Sequence, residues 1–251
     1  MKNKLNYNFL EKLYLTYNKP EFIATDPIIL LHKYKWNPEE LEVVGLITSA
    51  IAVGKVTQIL KSVENILQKM DYTPVDFLRN SSEKEIMKSF KDFKHRFFSN
   101  IHIGYFLLSI KQIINNFESI KNAFLNSPKI HNDTVSEALE DFVELFDTRC
   151  ANLIPNPKNG SACKRLFLYL RWMTRQDEID FGLWQNISPS QLIIPLDVHM
   201  FKIGKKFGII SQNSANLKAA KILTNFFKKI NPDDPVKYDF ALTRASMKGA
   251  I

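Results

Sequence analysis

Cysteine, glycine and long apolar runs are all scarce in this chain. Two cysteines, Cys150 and Cys163, stand among 251 residues. Alone they cannot supply the four thiolates of an iron–sulfur cluster or of an all-cysteine zinc site. Eight glycines and little two-residue alternation argue against a sheet-rich fold. No apolar stretch approaches the roughly 20 residues that a membrane span requires. No signal peptide opens the sequence, so the expected setting is cytoplasmic. No internal repeat, low-complexity tract or long linker divides it.

What is present points to helices. Apolar residues make up 45% of the chain and 19 are phenylalanine, enough for a substantial core. Cap signals recur before helical patterns: Asp26-Pro27, Asn37-Pro38, Ser82-x-x-Glu85 and Thr134-x-x-Glu137. The run Leu41–Ala52 is apolar nearly all round and reads as a buried central helix, ended by Gly54. One long helix is expected to carry Phe106 through Phe124. Asp234-Pro235 reads as the start of the last helix. The expectation is an all-α fold of about ten helices.

The net charge of +8 favours a polyanionic partner. Basic residues concentrate in K-D-F-K-H-R-F-F (residues 91–98), which suits either phosphate contact or an aromatic core with solvated charges between. The densest pattern spans residues 155–209. It opens with N-P-K-N-G-S-A-C-K-R-L-F-L-Y-L-R-W-M, a Pro/Gly/Asn turn entering a helix whose first turn carries Lys164 and Arg165. It closes with I-I-P-L-D-V-H-M-F-K-I-G-K-K-F-G-I, where Asp197 occupies a helix N-cap position. A lysine at one helix start and a carboxylate at another suit a nucleophile with its electrostatic partner. A solvated lysine and a simple cap fit the same residues.

P-L-D-V-H-M-F-K-I-G-K-K-F-G-I resembles the catalytic segment of the helix-hairpin-helix DNA glycosylase superfamily, and N-G-S-A-C-K-R-L resembles a degenerate form of its hairpin. The separation of the two segments is similar to that in the archaeal 8-oxoguanine glycosylase branch. Over nearly its full length the chain also resembles the bacterial domain-of-unknown-function 2400 family, through G-S-A-C-K-R-L-F-L-Y-L-R-W-M, I-I-P-L-D-V-H and D-P-V-K-Y-D-F-A-L.

The glycosylase resemblance implies two helical lobes with a cleft between them, residues 1–36 plus 195–251 in one and 37–194 in the other. It implies a bifunctional glycosylase and AP lyase excising an oxidised purine, with Lys164 as nucleophile and Asp197 as catalytic carboxylate. Base-pocket candidates are Trp172, Leu168, Asp239 and His199. Backbone-contact candidates are Gly160, Ser161, Arg165, Lys202 and Lys205. Capping, salt-bridging or solvated-face roles fit Asp239, His199 and the lysines as well. The expected partner is damaged double-stranded DNA, bound by a monomer without metal or cofactor. A non-catalytic helical DNA- or RNA-binding protein is the alternative.

Overall fold

The computed structural model describes residues 5–251. Twelve α-helices and one two-stranded hairpin are found among them, and the fold is all-α. The chain forms two compact units. One contains residues 25–131 and 137–156; the other contains residues 5–24, 132–136 and 157–251. No helix among the described residues is long and apolar enough to cross a membrane.

The first of these units is built on α2 (Pro38–Ala50). Asn37 caps it by accepting from the Glu40 amide, Pro38 occupies its first turn, and every residue from Glu40 to Ala50 is buried. A helix apolar on all sides gains nothing from facing water, so neighbours cover its whole circumference. Those neighbours include the 3-10 helix Pro27–Tyr34, α3 (Val56–Gln68), α4 (Pro74–Asn80) and α7 (Ile120–Leu125). The two carboxylates on α2 are spent on other helices. Glu40 accepts from the Val75 amide in the first turn of α4, and Glu42 accepts from the Lys121 amide in the first turn of α7.

α2 stops at Ala50 rather than running to Gly54. Gly54 instead lies in the link to α3 with a φ of +105°, a conformation that strongly favours glycine. The Ser82/Glu85 capping box forms as expected at α5 (Glu83–Ser89). Residues 91–98 make the turn into the hairpin of β1 (Lys94–His95) and β2 (Phe98–Ser99), paired antiparallel with Lys94 opposite Ser99. Phe93 and Phe98 are buried, while Lys91, Lys94, Arg96 and Phe97 are exposed.

The single long helix expected through Phe124 is two. α6 (Asn100–Phe117) ends where Glu118 takes a φ of +68°, and α7 restarts with the Ser119 hydroxyl accepting from the Asn122 amide. The apolar spacing runs on through this break, so periodicity alone hides it. α8 (Ser136–Val143) begins at the Thr134–Glu137 signal.

The second unit assembles α1 (Tyr7–Tyr17), α9 (Lys164–Thr174), α10 (Val198–Lys206), α11 (Leu217–Lys228) and α12 (Asp239–Met247). α12 packs on both α1 and α10. It starts four residues later than Asp234-Pro235 predicts, because Asp234 is drawn aside to Arg175, its Oδ2 accepting from Nε at 2.8 Å. Residues 235–238 remain a turn.

Candidate functional site

α9 enters abruptly. A short 3-10 turn, Pro157–Asn159, leads to Gly160 at φ +73°, and Cys163 then adopts a left-handed conformation at the N-cap position without a side-chain cap bond. Ser161 bridges to Asn216, and the Gly160 carbonyl accepts from the Leu217 amide at 3.1 Å. The expected entry, a Pro/Gly/Asn turn, is therefore tied to the start of α11. Lys164 and Arg165 occupy the first turn, as the sequence suggests. Lys164 is half-buried and makes no hydrogen bond or ion pair among the described residues. Burial depresses the Arg165 guanidinium to about 10.

Asp197 is the N-cap of α10, with Oδ1 accepting from the Met200 amide at 2.7 Å. The residue is half-exposed, and its second oxygen has no partner among the described residues. Pro195 and Leu196 before it are buried, which fixes the approach of the chain to the cap. His199 is the second residue of α10, with Nδ1 and Ser246 Oγ of α12 at 3.3 Å.

The same unit holds a set of buried charges that no local motif announces. Arg171, in the last turn of α9 and 3% exposed, binds Asp239 of α12 through Nη1 and donates from Nε to Asp180 at 3.3 Å. Arg175 is the hub. Its Nη1 reaches Asp180 at 2.6 Å and Asp177 at 2.8 Å, and its Nε reaches Asp234. Asp177 also accepts from the Tyr14 hydroxyl and the Asn18 amide, each at 3.0 Å, which draws in the end of α1.

Burial opposes these charges, and their mutual attraction decides each case. Burial alone would push Asp177 up, but Arg175 and the amides of Asp180 and Ile179 hold its carboxyl at about 2. Asp239 goes the other way. Burial lifts it to about 6 against the pull of Arg171, and the charge of Asp197 adds to the rise. Burial likewise raises Asp180. Burial works against the Arg175 charge too, but its three aspartates overcome it and hold the guanidinium well above its ordinary value.

α10, which Asp197 caps, packs on α12, which Asp239 opens, so the charge of Asp197 is felt at Asp239. Lys164 and Arg171 stand two turns apart on the same face of α9, about 10 Å along its axis. The face that carries the lysine is therefore the one that leads, through Arg171, to Asp239 and the field of Asp197.

A family model described as a protein of unknown function, DUF2400, matches residues 26–248. The chain belongs to the DUF2400 family. No curated protein and no solved structure matches it. The match takes in both units of this DUF2400 protein, including Lys164, Asp197 and the buried arginines.

The remaining candidates, and the other two tryptophans of the chain, fall in several places. Trp172 is fully buried, and among the described residues its indole N–H has no partner, so it is part of the core rather than an open wall. Trp184 is also buried, edge-on to Tyr169 at 5.3 Å. Trp36 is 86% exposed beneath the Lys35 ammonium. Leu168 is partly exposed. Lys202 and Lys205 are exposed on α10, and Lys205 donates to the carbonyls of Ser211 and Gln212. Asp239, a base-contact candidate, is committed to Arg171. Sequence reading missed Arg171, Arg175, Asp177, Asp180 and Asp234 as a set. The available signal was Arg171 and Arg175, four apart at the buried end of α9 and its C-cap, followed two residues on by Asp177-x-x-Asp180: buried cations require carboxylates.

Proposed function

We propose that this DUF2400 protein is a DNA glycosylase with lyase activity, acting on an oxidised purine such as 8-oxoguanine in duplex DNA. The observation that carries the reading is Asp197. It caps α10 with one oxygen and keeps the other unengaged at a half-exposed position, in a segment that resembles the catalytic segment of the helix-hairpin-helix glycosylases. Lys164 supports it as an amine that is half-buried and outside any ion pair among the described residues.

In this reading the Lys164 amine attacks C1′ of the damaged nucleotide. The N-glycosidic bond breaks, and its electron pair leaves with the base. Positive charge develops on the sugar, and the Asp197 carboxylate stabilises it. The attached nitrogen then sheds a proton, and the C1′–O4′ bond breaks with the ring oxygen taking a proton up. The nitrogen lone pair closes the Schiff base, from which the strand is cut by β-elimination. The buried Arg–Asp set acts as a frame: it fixes α9 against α12, and with them the helices that bear the two groups.

The test is borohydride trapping on an 8-oxoguanine duplex. Wild type should form a covalent adduct and Lys164→Gln should form none, with unchanged helicity. A wild-type protein that binds the duplex but never traps would be the non-catalytic nucleic-acid-binding alternative.

A further inference from the structure

The unit containing residues 25–131 holds an open pocket of about 410 Å³, lined by polar and charged side chains together with Phe93. One wall is a face of α3, on which Gln58, Lys61, Ser62 and Asn65 recur at the spacing that aligns residues along one side of a helix. The facing wall is the approach to the hairpin and its first strand, with Asp92, Lys94 and Arg96. The walls are tied together by His95, which is 4% exposed. Its Nε2 lies 3.1 Å from the Val53 carbonyl and so carries the proton, and its Nδ1 then accepts from the Ser62 hydroxyl at 2.8 Å. Burial depresses the His95 pKa, so the ring stays neutral at pH 7.

Three cations therefore line the cavity against one carboxylate, Asp92. Among the described residues neither the cations nor Asp92 make an ion pair, and the Gln58 and Asn65 amides make no side-chain hydrogen bond. Arg96 lies against the link between α2 and α3. It takes a φ of +51° at the hairpin turn, and a Cβ built on Gly54 would meet its Nη1 at 2.7 Å. The guanidinium lies in space that only glycine leaves open.

We infer that this cavity binds the phosphate monoester of a small organic ligand, a nucleotide 5′-monophosphate or the 5′-phosphate end of a DNA strand. A monoester carries about −1.5 to −2 charges at neutral pH, which matches the excess of two positive charges. Arginine and amide donors suit its three terminal oxygens. A volume within the usual range for small-molecule sites leaves room for the attached group. The inference does not depend on the base-excision reading.

Isothermal titration calorimetry on the full chain tests it, with inorganic phosphate, dTMP, thymidine, and one single-stranded 12-mer bearing either a 5′-phosphate or a 5′-hydroxyl. Saturable binding of dTMP without binding of thymidine is expected. Arg96→Gln and Lys94→Gln should each weaken it about tenfold. Both residues are exposed, so melting temperatures should hold. Binding of dTMP but not of the 5′-phosphorylated 12-mer identifies a free mononucleotide; binding of both identifies a strand end. The inference fails if wild type binds none of the phosphates, if the substitutions leave affinity unchanged, or if the 5′-hydroxyl strand binds as tightly as its phosphorylated form.

Discussion

Replacing Arg175 with methionine removes one side chain that serves three carboxylates. Methionine keeps much of the length and bulk of arginine, so cavity effects stay small and the loss is electrostatic. Asp180 loses its 2.6 Å partner, Asp177 its 2.8 Å partner and Asp234 its contact with Nε. Breaking a buried pair by deleting one member costs about 3–5 kcal/mol. The depressed Asp177 carboxyl gives an independent check. A fall from 3.8 to about 2 corresponds to about 2 kcal/mol of native stability, much of it owed to Arg175. Arg171 still neutralises Asp180 and Asp239, which keeps the total towards the lower end of the range. Urea unfolding at pH 7 should show a loss of about 3 kcal/mol, with an unchanged dependence on denaturant. The loss should shrink at pH 4.5, because the orphaned carboxylates then take up protons in the native state. Arg175→Lys keeps the charge without the fork and should fall between wild type and Arg175→Met. A methionine variant within about 0.5 kcal/mol of wild type, a difference typical of surface substitutions, or a loss that does not change with pH, would refute the reasoning.

Asp239, lifted to about 6 in the fold from 3.8, binds its proton more tightly when native. Its contribution is thus fully present below pH 3.8 and is lost as pH rises through 6. Stability measured between pH 7 and pH 4 should carry a component that increases on acidification, and Asp239→Asn should flatten it. Asp197→Asn keeps an oxygen for the Met200 amide and should melt within about 1 kcal/mol of wild type, yet lose base excision by orders of magnitude on its proper substrate. Asp197→Ala should lose both. At α5, Ser82→Ala should cost about 1 kcal/mol in urea unfolding, since the Glu85 amide then loses its acceptor.

What the sequence made legible has a simple physical mark: both partners lie within one helical turn. Asn37, Ser82 and Asp197 bond amides three residues away, and Asp26 bonds one two residues away, so each cap can be read from a short window. The buried run of α2 is legible because apolar residues from Leu41 to Ala50 fall on every side of the helix. The pairs that frame the candidate site have no such mark. Arg171 meets Asp239, and Arg175 meets Asp234, across stretches that include two other helices. The misplaced start of α12 has the same origin: a local cap signal at Asp234 was overridden by a distant arginine. Gly54 looked like a helix stop and is instead the space in which Arg96 lies. Lys164 and Asp197 were found by resemblance, and the electrostatic thread from Asp197 to Asp239 and Arg171 emerged only from the structure.

The two glutamates of α2 have a consequence for how that unit comes apart. The first turn of α4 has no side-chain bond from Thr73. Its Val75 amide relies on Glu40, a residue 35 positions earlier, and the Lys121 amide of α7 relies on Glu42. Two helix beginnings are thus clamped by a third helix. Neither amide can exchange its hydrogen with solvent by local fraying alone while α2 stays seated. In deuterium oxide, Val75 and Lys121 should exchange together with the amides in the middle of α2, far more slowly than first-turn amides ordinarily do. Glu40→Gln, which keeps an acceptor, should preserve that shared rate at Val75. Glu40→Ala should release Val75 alone and leave Lys121 locked to α2.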